Sequence, residues 1–186
     1  MVLIPKKQGR VRVYVDMRQV NKSIKREWHI SQTINEVTNN LNAAKVFIKL
    51  DFNQGYSQLE LAPESRYLTT FSTHMGLRWF RRLNFGVNCA AEIFQNAIRE
   101  APSGLNGVIN MSNDILVFGV GDADHDANFE GALERIRERG FTIIKEKCIY
   151  KKKSIIIQGY FSSEHGIAPD PAKVTAIQER QRMYQR

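Results

Sequence analysis

Cysteine is scarce: Cys89 and Cys148 are the two in 186 residues. That excludes a disulfide scaffold, and the wide gap between them lacks the paired spacing of a zinc site. A reducing, intracellular setting, cytoplasm or nucleus, is therefore expected. Long apolar runs are missing too. No stretch approaches the ~20 residues of a membrane helix, so no membrane partner is expected. Met1 to Lys7 carry neither an apolar core nor a small-residue cleavage site, so no secretory signal is read there. Internal repeats and low-complexity linkers are also lacking. The composition is that of an ordinary globular chain, 42% hydrophobic and 25% charged. Its length suits one domain, with or without a small satellite, and can bury a real core.

Charge is present in excess of one sign and unevenly placed. The formal net charge is +8. Residues 1–50 hold ten Lys and Arg against three acids, residues 51–120 five against six, and residues 121–186 twelve against ten. A basic module thus precedes a near-neutral body. Such clustering is the footprint of a polyanion partner, nucleic acid or nucleotide phosphate, or else a solvated, solubilising face. Composition leaves both open.

Periodicity places the elements. Val11 to Val15 alternates at period two, and with the turn at Gln8-Gly9 it predicts a basic β-hairpin over residues 2–16. Ser31 can cap a helix to about Asn42, with Ile34, Val37 and Leu41 on one face. Val46 to Leu50 is a short apolar strand ending at Asp51. Residues 58–61 and 67–72 read as paired strands joined through Pro63, and 77–83 as a further strand. Ala90 to Arg99 reads as a helix. Val108 to Met111 and Asp114 to Phe118, around a polar break, read as a hairpin. His125 to Arg139 is predicted as an amphipathic helix with Phe129, Leu133 and Ile136 inward, closed by Gly140. Strands over 148–151 and 155–161 follow, then a helix from Pro171. This order predicts an α+β fold, an antiparallel sheet backed by helices.

Two carboxylates fall where chemistry is served. Asp51 ends a buried strand, and Asp114 follows a hairpin turn. Taken singly, Asp51 could cap the turn after it and Asp114 could be a turn residue. Together, at two strand ends, they match how a sheet holds Mg²⁺, which takes one or two carboxylates and completes its shell with water and phosphate. Paired ions of this kind serve phosphoryl transfer.

The segment Lys49-Leu50-Asp51-Phe52-Asn53-Gln54-Gly55-Tyr56-Ser57-Gln58 resembles the first metal-binding block of reverse transcriptases from Ty3/Gypsy-type LTR retrotransposons. Leu83-Asn84-Phe85-Gly86-Val87-Asn88 through Ile93-Phe94-Gln95 resembles the family's Phe-Gly and Phe-Gln block. Val11 to Lys22 resembles its basic fingers strand. Gly159 to Ser162, Gly166-Ile167 and Pro169 to Val174 resemble the stretch that closes the palm. The motifs agree in order and spacing over nearly the whole chain.

The resemblance implies an RNA-directed DNA polymerase unit of fingers and palm that works on an RNA or DNA primer–template with dNTPs and two Mg²⁺ ions. It implies a fingers part over residues 1–45, with 60–82 contributing, a palm over 46–177 and a frayed tail over 178–186. Asp51 and Asp114 would be metal ligands. Arg12 and Lys7 would meet the nucleotide triphosphate. Gly55, Tyr56, Phe85 and Gly86 would line the nucleotide pocket, with Tyr56 as the gate against a 2′-hydroxyl. Asp16 and Arg18 would shape the template side. Lys147 would be a candidate general acid for the pyrophosphate leaving group. Outside the resemblance, Arg12 could be a solvated strand residue, Tyr56 a core residue and Lys147 one of a lysine-rich stretch.

One departure stands out. The family's second metal block carries Asp-Asp at the hairpin tip, where this chain reads Met111-Ser112-Asn113-Asp114. Asn113 offers a neutral oxygen in place of a charge, so two metal ions would bind more weakly and catalysis would suffer. Asn84, where the family often has Pro, is a milder change. The thumb and the other polyprotein domains, protease, RNase H and integrase, are not represented, so the chain reads as a fragment or decayed copy. Besides an impaired polymerase, it could be a domesticated, non-catalytic nucleic-acid-binding module or a non-functional product.

Overall fold

A computed structural model describes residues 2–5, 11–26, 39–41, 43–111, 114–157 and 159–184. The chain divides into two compact units, one from residues 1–30 and 52–100, the other from 31–51 and 101–186.

The first unit opens with β1 (Val2–Pro5) paired antiparallel to β2 (Val11–Tyr14), the hairpin its alternation predicts. Helix α1 (Arg18–Ser23) follows. Its Asn21 holds a distant loop, donating from Nδ2 to the Gly86 carbonyl at 2.8 Å and accepting from the Asn88 amide at 2.9 Å. After a 3₁₀ turn at Gly55–Gln58 come α2 (Pro63–Arg66) and a second 3₁₀ turn, Tyr67–Thr69. The paired strands expected over 58–61 and 67–72 are therefore not formed. Pro63 sits in the first turn of a helix, where its fixed φ and missing N–H cost nothing. Thr69, buried, ties the turn by donating to the Arg66 carbonyl and accepting from the Phe80 amide. Pairing occurs instead in a short hairpin, β4 (Phe71–Thr73) with β5 (Gly76–Arg78), and in one bridge from Glu60 to Arg82. Helix α3 (Ala90–Glu100) buries Ala90, Phe94 and Ile98.

The second unit is built on β3 (Val46–Asp51), β6 (Val108–Met111), β7 (Asp114–Gly119) and β8 (Ile149–Lys152), an antiparallel sheet in the order β6-β7-β3-β8. The central pair β3 and β7 is mostly buried because both strands are largely apolar, Lys49 being the one charged residue between their ends. Helix α4 (Asp122–Glu138) begins three residues earlier than the sequence predicts, after an extended Gly121. Its acidic first turn, Asp122 and Asp124, suits the positive helix N-terminus. Its buried residues are His125, Ala132 and Ile136, so of the three expected inward positions only Ile136 is fully covered.

Gly119 shows which sheet face α4 covers. A Cβ there would meet the His125 backbone nitrogen at 2.5 Å. Alternation then puts Val117 and Ile115, with their partners Ile48 and Leu50, on the helix side. On the opposite face Phe47 and Leu116 join Leu41, Ala44, Ile109 and Ile155 in a second core, closed by Phe118, Ile157 and Ile167. The last two come from a three-stranded sheet, β9 (Ser154–Ile157), β10 (Tyr160–Ser163) and β11 (Gly166–Pro169). The single strand expected over 155–161 is thus two strands folded back on each other beside Gly159, whose φ of +86° few other residues adopt. Helix α5 (Pro171–Tyr184) ends the described chain. The helix expected from Ser31 lies mostly outside the described residues, though Leu41 is buried in the core.

Candidate active site

The structure places the sequence-predicted site residues in two groups, one in each unit. In the second unit β3 and β7 run antiparallel with Asp51 directly opposite Asp114. Residues so paired point to the same face, with Cβ atoms ~4.5–5.5 Å apart. That face is the one away from α4. Both carboxylates are partly exposed, 29% for Asp51 and 24% for Asp114.

Each acid has a lysine. Lys49 stands two residues before Asp51, hence on the same face, and its Nζ lies 2.7 Å from Asp114 Oδ2. Lys147 lies on a 3₁₀ turn, Lys145–Lys147, tethered to the strand end by the Ile144 amide donating to the Asp51 carbonyl at 2.9 Å. Its Nζ is 3.5 Å from Asp51 Oδ1. The sequence reading singled out Lys147 and assigned no role to Lys49, although period-two spacing from Asp51 was the signal for it.

In the first unit Tyr56 follows Gly55 on the 3₁₀ turn and stacks among aromatics. Its ring centroid is 4.9 Å from that of Phe85 and 5.6 Å from that of Phe94. Tyr14 of β2 reaches Phe85 from another direction at 5.8 Å, and Phe52 meets Phe94 edge-on at 5.7 Å. Gly55 is needed for this closeness, since a Cβ would press the Phe94 ring at 3.3 Å. Gly86 has φ +103°, and a Cβ there would sit 3.1 Å from the Val15 carbonyl oxygen. Thus Gly55, Tyr56, Phe85 and Gly86 are brought together, framed by Tyr14 and Phe94, neither of which carried a role in the sequence reading.

Asp16 and Arg18 form an exposed fork. Arg18 Nη2 is 2.6 Å from Asp16 Oδ2, and the Arg18 amide also donates to Asp16. These hydrogen bonds hold the Asp16 carboxyl down at about 2. Lys7 and Asn113 lie outside the described residues, and for Arg12 the backbone alone is described, paired with Ile4.

The oxygens of Asp51 and Asp114, partly open, are the hard donors a divalent cation takes, and each carboxylate is paired with an ammonium group. Among the described residues no group of three or more His, Cys, Asp or Glu is placed to share a metal.

The described residues thus form an antiparallel sheet with opposed carboxylates at two strand ends and a helix on its other face. The chain belongs to the reverse transcriptase (RNA-dependent DNA polymerase) family, whose model matches residues 4–161. Within that family it is related to the Pol polyproteins of Gypsy/Ty3-type retrotransposons. It is 32% identical to the retrovirus-related Pol polyprotein from transposon gypsy of Drosophila melanogaster, over 90% of this chain and 16% of that protein. It is 30% identical to the corresponding polyprotein from transposon 412 of the same organism, over 96% of this chain and 15% of the relative. The chain therefore spans about a sixth of these relatives. In fold it is similar to a foamy viral protease–reverse transcriptase solved with double-stranded DNA, with a TM-score of 0.84 and 19% identity over 95% of this chain and 31% of that one. No described helix is long and apolar enough to cross a membrane.

Proposed function

We propose that the chain is the nucleotidyl-transfer unit of a retroelement Pol polyprotein, copying an RNA or DNA primer–template from dNTPs with an impaired metal site. The observation that carries this reading is the opposition of Asp51 and Asp114 at the ends of β3 and β7. These two carboxylates would hold Mg²⁺. When bound, the metal supplies charge stabilisation for the attacking and leaving oxygens of phosphoryl transfer.

The chain's own residues carry the rest. Tyr56, fixed among aromatic rings, would stand against the nucleotide sugar and exclude a 2′-hydroxyl. Gly55 and Gly86 would let backbone approach the nucleotide closely, with Phe85 beside it. Arg12 and Lys7 would meet the triphosphate. Asp16 and Arg18 would lie on the template side. Lys147, its side chain 60% exposed, would hand a proton to pyrophosphate. In this assignment residues 1–45 with 60–82 serve as fingers, 46–177 as palm, and 178–186 as a tail.

Asn113 is the reason for impairment. It stands where the family carries an aspartate, and an amide cannot offset metal charge. Loss of one such charge-stabilising group costs on the order of a hundredfold in rate. Single-nucleotide incorporation by this chain beside Asn113→Asp tests the reading. Nucleic-acid binding with no incorporation by either would favour a non-catalytic binding module instead.

A further inference from the structure

Lys49, Asp51 and Asp114 share one sheet face, and Lys147 reaches it from the turn after Ile144. Two ammonium groups meet two carboxylates, so these four side chains sum to zero charge. Asn113 adds none. A divalent cation arriving at such a site does not settle into an unopposed negative field. It has to push an ammonium aside.

The two lysines are not equal in this. Lys49 is anchored within β3, is 32% exposed and sits 2.7 Å from its carboxylate. Lys147 is 60% exposed and 3.5 Å away. The shorter, better-shielded contact is screened less by water and salt. The Asp16–Arg18 pair shows the other extreme, with side chains 53% and 86% exposed.

We infer that Lys49 is the resident counter-cation of Asp114, and that it sets how tightly this strand end takes a hard divalent cation. Lys49 is thus a positioning residue that competes with Mg²⁺ for Asp114 and balances that carboxylate when no metal is bound. The inference rests on the reading of Asp51 and Asp114 as metal ligands.

The test is calorimetric titration of MgCl₂ into the full chain without nucleotide or nucleic acid, with melting temperature followed in parallel. Lys49→Gln is expected to bind Mg²⁺ about two- to fivefold tighter, the scale of removing one partly exposed ion-pair partner. Its melting temperature should fall without Mg²⁺ and recover more than wild type on adding it. Lys49→Arg, which keeps the charge, and Lys152→Gln, an exposed β8 lysine, should match wild type. Lys49→Met, which keeps the apolar stem, repeats the comparison if Lys49→Gln does not fold. In an Asp114→Asn background Lys49→Gln should no longer change the affinity, a coupling that a purely structural role would not produce. Equal Mg²⁺ affinity in wild type, Lys49→Gln and Lys49→Met overturns the role of Lys49 and leaves the metal reading standing. Absence of Mg²⁺ binding in every variant overturns both.

Discussion

Asp51 and Asp114 face each other directly across β3 and β7, so two carboxylates occupy neighbouring positions on one side of a sheet. Like charges in that position destabilise a strand pair. Here the strain is relieved by Lys49 and Lys147, one on each acid. A fold needing only stability would place apolar or opposite-charge partners there, as it does at Phe47 with Phe118 and at Ile48 with Val117.

Asp114→Asn removes both the repulsion from Asp51 and the attraction to Lys49. These effects oppose, so urea denaturation should show a stability change within about 1 kcal/mol. Nucleotide incorporation measured in an Asn113→Asp background should fall on the order of a hundredfold or more. A loss of folding in place of a loss of activity would assign Asp114 a structural role.

Glycines separate tight packing from open space. Gly119→Ala forces a methyl into the backbone of α4 and should cost about 1–3 kcal/mol in chemical denaturation. Gly131→Ala, inside the same helix and with only Leu105 at 3.9 Å, should gain about 0.4–1 kcal/mol. If both destabilise equally, α4 does not press on β7 as described.

The Asp16 carboxyl titrates at about 2, below its ordinary value of 3.8, because Arg18 hydrogen-bonds to it. A lowered folded value means the pair supports the fold above the unfolded pKa and loses that support as pH falls from about 4 towards 2. Arg18→Gln should return the Asp16 resonance in a pH-dependent NMR titration towards 3.8. No movement would show the fork is not held in solution.

Affinity for nucleic acid should be mainly electrostatic and drawn from Lys6, Lys7, Arg10, Arg12, Lys22, Lys25 and Arg26. Binding of a labelled primer–template should weaken steeply from low to physiological salt and show little sequence preference. Arg26 is ion-paired with Glu92, so Arg26→Gln should weaken binding less than Lys25→Gln. Salt-independent binding would contradict this.

Much of the central sheet is legible in the sequence because β3 and β7 are largely apolar and partly β-branched, broken in β3 by Lys49 and ended by acids. The same pattern reads Asp51 and Asp114 as strand-end acids. Residues 58–72 mislead because local alternation there is weaker than the helix-starting geometry of Pro63. The 155–161 run misleads because three consecutive isoleucines hide the reversal at Gly159. Period-two spacing puts Lys49 on the face of Asp51, but its contact with Asp114 depends on the register of β3 against β7, which composition does not encode. The aromatic cluster at Tyr56 depends in the same way on the distant contacts of Phe85 and Phe94.

Single-nucleotide incorporation at saturating primer–template and Mg²⁺, by this chain beside Asn113→Asp, tests the central claim most directly. The substitution restores one negative charge without enlarging the side chain. The expected result is little or no incorporation by the unmodified chain and a gain on the order of a hundredfold for Asn113→Asp. Equal, strong incorporation by both would show that Asp51 and Asp114 suffice, and equal absence would contradict the polymerase reading of this site.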